Sequence, residues 1–269
     1  MKNLIIGNTS QQSYYYPDDY IRISSREIDF NFLTQNHWNS VYITFAEQRI
    51  YEEMFSVSFI GINYFLTLDI IEHIINNSNR IVIFTTCELW NNCIGEVNLK
   101  TQFNYISVGG LTSYLYSKKN LYEEIIKRRQ QNVNYNKIIM IHPFNFNSIY
   151  RTEYFLFGKI FNSIINKKKI EIGNTYFYRD IIHTKYLVER AISATSDEII
   201  GSGRLYHIND FIRDLYKYFD MDYNYYVIEK LNNKNNHSEK LYYSYQENVY
   251  TYDMLFNDTI NDIKNKLII

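Results

Sequence analysis

The sequence predicts an α/β fold: a doubly wound, mainly parallel sheet followed by a smaller C-terminal lobe. Three observations predict it. Apolar runs of strand length recur through the first half of the chain, and segments with apolar residues at helical spacing separate them. After Pro143 the pattern changes to mixed helices and short strands around Gly173, Gly201 and Gly203. With 269 residues, 46% of them hydrophobic, the chain can bury the core that such a sheet needs.

Taken in order, residues 4–7, 20–24 and 40–45 read as the first three strands, and 81–86 and 137–141 complete a central sheet. Residues 59–75 place apolar side chains at helical spacing. Residues 114–129 form a second helix with a charged, solvated face. Pro143 closes the last of these strands, so 1–142 reads as the first domain. Residues 143–269 form the lobe, with some segments returning to the first domain. The polar stretch 232–240 reads as a loop, and the C-terminus as a possible helix.

Composition excludes several classes. A net charge of −1 gives no reason to expect a nucleic acid or an anionic membrane as partner. Asn63, Asp69 and Glu72 interrupt the longest apolar stretch, and no signal-peptide core follows Met1, so the chain reads as a soluble cytoplasmic protein. Cys87 and Cys93 have no metal-ligand spacing, and the six histidines form no HxxxH or HxH pattern, so no metal is expected.

The chemistry-bearing constellation is Thr85-Thr86-Cys87-Glu88-Leu89-Trp90 at the end of a strand, followed downstream by Tyr114 and Lys118. Tyr114 and Lys118 stand four apart, on one face of a helix. The spacing alone is ordinary in a chain of 28 tyrosines, and Tyr226/Lys230 repeats it. Context distinguishes the first pair, because Ser117 precedes the lysine and the threonine-ended strand lies upstream. A phenol of pKa about 10 becomes a base near neutrality when nearby cations favour its phenolate, and a drop of three units needs about 4 kcal/mol. Tyr114 could then take a proton from a sugar hydroxyl that Thr86 holds.

These landmarks resemble the extended short-chain dehydrogenase/reductases, the nucleotide-sugar epimerases, dehydratases and ketoreductases. "IVIFTTCELW" at 81–90 is similar to that family's strand ending in a Ser/Thr segment, especially the Thr-Ser-Glu-Leu-Tyr form of GDP-mannose 4,6-dehydratases. Residues 59–75 resemble its Asn-containing helix, with Asn63 in place. His142-Pro143-Phe144-Asn145 resembles its Arg-Pro-Phe-Asn turn, and 170–192 its Gly…Arg-Asp…Val…Ala-Ile segment. The resemblance covers about residues 1–220 and keeps the family's order. It implies a Rossmann-like fold, NAD or NADP as cofactor, and a nucleoside-diphosphate sugar as substrate. It further implies oxidation or reduction at C4, in surface polysaccharide biosynthesis, and a homodimer packed through helices such as 114–129. By it, Thr86, Tyr114 and Lys118 are the catalytic triad and Glu88 the base at C5. Gly7, Ser10, Ser13, Ser25, Arg26 and Asn63 hold the cofactor, while Asn145 and Arg179 meet the substrate. Arg179 with Asp180 also reads as a structural ion pair, and His142 and His183 as hydrogen-bonded structural histidines.

Four departures accompany the resemblance. The glycine-rich turn is reduced to Gly7-Asn8-Thr9-Ser10-Gln11-Gln12-Ser13, with serines at the second and third glycine positions. Only about a dozen residues, Pro17 among them, separate it from the next strand, so the first helix must be clipped to a turn or two or replaced by a loop. Ser24-Ser25-Arg26 stands where an acidic residue would meet an NAD ribose, which tilts the expectation to NADP. Cys87 replaces an aspartate found in many 4,6-dehydratases. The clipped turn also suits a second reading, a non-catalytic relative acting as partner subunit or sugar-nucleotide binder.

Overall fold

The computed structural model describes residues 2–49, 56–230, 241–245 and 250–268. The stretch 232–240, read as a loop, lies outside them. The described chain forms two compact units. The first comprises 1–89, 103–143 and 188–199, and the second 90–102, 144–187 and 200–269.

The first unit is built on a six-stranded sheet. Its strands are β1 (Lys2–Ile6), β2 (Ile21–Ile23), β3 (Trp38–Ile43), β4 (Ser78–Phe84), then Ile138–Pro143 and Glu198–Ile200. Their order across the sheet is Glu198–Ile200, Ile138–Pro143, β4, β3, β1, β2. Pairing is parallel from β2 through to Ile138–Pro143. The strand order reverses at β1, which has β2 on one side and β3 on the other. In doubly wound sheets, ligands bind beyond the strand carboxyl ends at such a reversal.

Continuous Val/Ile runs make these strands because both faces of the sheet are covered. Leu4, Ile6, Val41, Ile43, Ile81 and Ile83 share a core with Leu68, Ile70, Ile71 and Ile74 of the helical segment and with Leu121 and Ile125. That segment runs as α1 (Ser56–Ile60), a π-helical turn (Gly61–Leu66) and α2 (Thr67–Ile74). The helix expected at 114–129 is the 22-residue Gly110–Gln131. At the sheet edge Arg129 grips Asp197 through two bonds of 2.6 and 2.7 Å, and Asp197 accepts the Met140 N–H.

The crossover from β1 to β2 is as short as the sequence demands. It holds only a five-residue 3-10 helix, Gln11–Tyr15, with Ser10 as its N-cap. The guanidinium of Arg22 covers its far end, donating to the carbonyls of Ser13, Tyr16, Pro17, Asp18 and Tyr20. These are carbonyls a longer helix would have satisfied internally. Tyr16 and Tyr20 pack on Tyr42 of β3, at ring separations of 4.6 and 5.9 Å.

The second unit is stitched from two-stranded pairs rather than one sheet. Residues Gly95–Val97 pair with Tyr242–Ser244, Asn145–Asn147 with Ile181–His183, and Ile170–Ile172 with Val227–Glu229, all parallel. Helix Ile208–Tyr218 buries Ile208, Phe211, Ile212 and Leu215 on one stripe. The C-terminal helix spans Tyr252–Ile268.

Candidate active site

β4 ends at Phe84, and the chain turns through Thr85 and Thr86 into a 3-10 turn, Cys87–Trp90. Thr86 is buried, and its Oγ1 accepts the Glu88 N–H at 3.2 Å. That bond fixes the threonine hydroxyl and the start of the turn that carries Glu88. Glu88 is partly exposed, while Cys87 is buried.

Helix Gly110–Gln131 carries Tyr114 and Lys118, and Lys118 reaches the end of β4. Lys118 is buried and donates from Nζ to the Phe84 carbonyl at 2.8 Å, two residues before Thr86. Burial pushes its pKa down to about 8. An ammonium has three donors. Phe84 takes one, so Lys118 fits a neighbouring group that carries hydroxyls, such as a ribose. Tyr114 lies one helical turn earlier on that face, buried, with the Phe59 ring edge-on at 6.0 Å.

Asn63 ties this helix to the sheet. It sits in the π-helical turn, accepts the Glu47 N–H at 2.8 Å, and donates to the Glu47 carbonyl and the Ser117 hydroxyl. Ser117 in turn donates to the Tyr114 carbonyl at 2.7 Å. The Asn63 amide thus bonds Glu47 and Ser117, and Ser117 holds the Tyr114 carbonyl. Glu47 itself is buried and accepts bidentately from Arg49.

At the strand reversal, Gly7 has φ +117°, and a Cβ there would lie 2.8 Å from Thr44 Oγ1 and 2.9 Å from Phe45 N. Only glycine fits. Ser10 turns its hydroxyl inward to Thr44 at 2.8 Å, and its oxygen takes the Ser13 N–H. Ser13 is buried. Ser24 caps the Arg26 N–H at 3.1 Å, Ser25 is partly buried, and Arg26 is exposed. Thr86 and the buried Lys118 thus lie at the carboxyl end of β4, with Tyr114 one turn from Lys118 on the same helix. The strand reversal has a glycine turn, a five-residue 3-10 helix in place of a full one, and a Ser10 hydroxyl bonded to Thr44.

In the second unit, Asn145 donates to the Asp180 carbonyl at 3.1 Å. Arg179 lies over the Phe177 ring at 4.5 Å and donates to the Tyr178 carbonyl. The ion pair read for Arg179 with Asp180 does not form. Asp180 accepts instead from the N–H and hydroxyl of Ser202, the N–H and hydroxyl of Ser244, and the Gly203 N–H. Opposite charges adjacent in sequence on a strand point to opposite faces, so such a pair is geometrically poor. His183 is a bonded structural histidine, 2.9 Å from Asp262 and accepting the Lys185 N–H.

Two contributors, Thr44 and Thr85, lie outside the site residues assigned from the sequence. Thr44 closes the Gly7 turn, bonding the Gly7 and Ile6 carbonyls. Thr85 bonds the Ile141 carbonyl and, at 2.6 Å, Nδ1 of the fully buried His142. Burial pushes His142 down to about 4, so it is neutral. A hydroxyl directly after each strand was the available signal.

No family model and no curated protein matches this chain. Solved structures do. The Pseudomonas aeruginosa protein RMD, complexed with NADPH, matches with a TM-score of 0.74 at 11% identity, over 99% of each chain. A UDP-glucose 4-epimerase from Thermotoga maritima, with UDP-glucose, matches at 0.75 and 11%, over 99% of this chain and 100% of that one. A double mutant of a dTDP-glucose 4,6-dehydratase from Streptomyces venezuelae, with NAD bound, matches at 0.76 and 12%, over 98% and 97%. This chain shares with them a Rossmann-like α/β fold.

Proposed function

From that shared fold, we propose that the chain is an NAD(P)-dependent enzyme of the extended short-chain dehydrogenase/reductase type that oxidises or reduces C4 of a nucleoside-diphosphate sugar. One observation carries the reading: the buried Lys118 ammonium is anchored to Phe84 beside Thr86, with Tyr114 one turn away on the same helix face. A bound nicotinamide supplies hydride acceptance or donation. Thr86 holds the reacting oxygen by hydrogen bonding. Tyr114 takes the hydroxyl proton in oxidation and returns it in reduction, and the Lys118 charge favours the phenolate between these events. By the family resemblance Glu88, whose N–H bonds Thr86, would be the base at C5, which would extend the chemistry to elimination or inversion.

The finer assignments follow the same reading. Arg26, exposed past the end of β2, favours NADP over NAD through a 2′-phosphate. Asn145 and Arg179 would meet the substrate from the second unit. A homodimer would use Gly110–Gln131, whose Tyr116, Glu123 and Lys127 are exposed. Among the described residues no helix is long and apolar enough to cross a membrane. A cytoplasmic role in surface polysaccharide synthesis fits this reading.

Titrating the purified protein with NADPH and NADH by fluorescence tests the proposal. Binding should favour NADPH. Tyr114→Phe should then abolish turnover in a nucleotide-sugar screen and leave nucleotide affinity nearly unchanged. Retained turnover would refute the assigned base. Absence of binding to either nucleotide up to millimolar concentration would instead establish a non-catalytic relative, the reading that the clipped crossover favours.

A further inference from the structure

The crossover at the strand reversal separates two kinds of catalyst. A redox-neutral epimerase or dehydratase takes hydride from the sugar and gives it back within one turnover, so it must retain the reduced dinucleotide while a ketone occupies the site. A net dehydrogenase or ketoreductase must release it each time.

The pyrophosphate end of this chain is built for release. The helix that should face it is a single five-residue 3-10 stretch, too short to present an aligned dipole. Its Ser10 hydroxyl is turned inward to Thr44, and the Ser10 oxygen is claimed by Ser13 N–H. Residues 7–20 contain no lysine or arginine and include Asp18 and Asp19. The nearest following cation in sequence, Arg22, is consumed by five backbone carbonyls. Each charge-assisted hydrogen bond to a phosphate that is missing weakens binding by roughly tenfold or more. Resting on the function proposed above, we infer that the dinucleotide is a co-substrate exchanged at every turnover, so that the net reaction is oxidation or reduction of the sugar rather than epimerisation or dehydration.

Written as reduction, the carbonyl carbon receives hydride from NAD(P)H, the C=O π pair moves to oxygen, and that oxygen takes the Tyr114 proton. The phenolate recovers a proton from solvent. Ketone, NAD(P)H and one proton become alcohol and NAD(P)+. A reaction that generates a keto sugar nucleotide must therefore supply the substrate.

Exchange at every turnover requires only ordinary affinity. At a Kd of about 10 µM and an association rate of roughly 10⁶ to 10⁷ M⁻¹s⁻¹, release occurs at about 10 to 100 s⁻¹, as fast as an ordinary turnover. The test is nucleotide retention in the full-length protein. After gel filtration, bound nucleotide is measured by extraction, and NADPH release is timed by stopped-flow displacement with excess NADP+. Fewer than about one site in ten should carry nucleotide, with release complete within about one second. Near-stoichiometric retention, or slower release, would overturn the inference and leave the proposed function standing. Failure to bind NADPH or NADH at all would overturn that function, and the inference with it.

Discussion

Lys118 carries a charge that its surroundings oppose. Its pKa falls from 10.5 to about 8 because burial disfavours the ammonium. Between pH 8 and 10.5 the unfolded chain keeps a proton that the folded chain has released. Stability therefore rises with pH across that window, and below pH 8 the full cost, on the order of 3 kcal/mol, is present. Lys118→Met should stabilise the protein at pH 7 by about 2 kcal/mol, once the lost bond to Phe84 is allowed for. Denaturant melts at several pH values should show that gain shrinking to nothing by pH 10.5, while NADPH affinity falls. Thr86, Tyr114 and Lys118 were legible because an ordered motif carries them. Thr44 and Asp180 were not, since a hydroxyl or carboxylate reveals its partners only when distant segments meet.

The first crossover is the element in which chain length decided structure. Its shortness was readable from Pro17 and the dozen residues available, and a 3-10 turn results. Its cap was not readable, because an arginine on the following strand gives no sign that five carbonyls await it. Arg22→Ala should cost about 2 kcal/mol and raise hydrogen exchange across 8–20, with β1 and β3 remaining protected. Equal deprotection of all three would show that the guanidinium supports more than its own loop. The π-helical turn at Gly61–Leu66 was hidden for a different reason. One extra residue per turn barely disturbs an apolar pattern, yet it sets the stretch that carries Asn63 to Glu47 and Ser117.

At the scale of the whole molecule, the chain passes repeatedly between its two units, so neither is a contiguous piece of sequence. The main sheet was legible from its apolar runs. The second unit was not, because its paired strands are two or three residues long and carry no periodicity. Asp180 gathers that unit, joining the 178–183 stretch to 202–203 and to Ser244. Gly201 must be glycine for this, since a Cβ would lie 2.6 Å from the carboxylate. Asp180→Ala strands two hydroxyls and three N–H groups, and urea melts should show a loss of about 3 kcal/mol. A loss under 1 kcal/mol would mean that water replaces the carboxylate freely.

The shortened crossover leads into a margin of the sheet that is itself short. The outer strand β2 is three residues long, and so is Glu198–Ile200 at the opposite margin of the sheet. A foreign strand adds to a sheet along a row of unpaired N–H and C=O groups, so a short edge strand offers it little. Among the described residues, both margins of this sheet are strands of three residues, too short to template the addition of a long foreign strand.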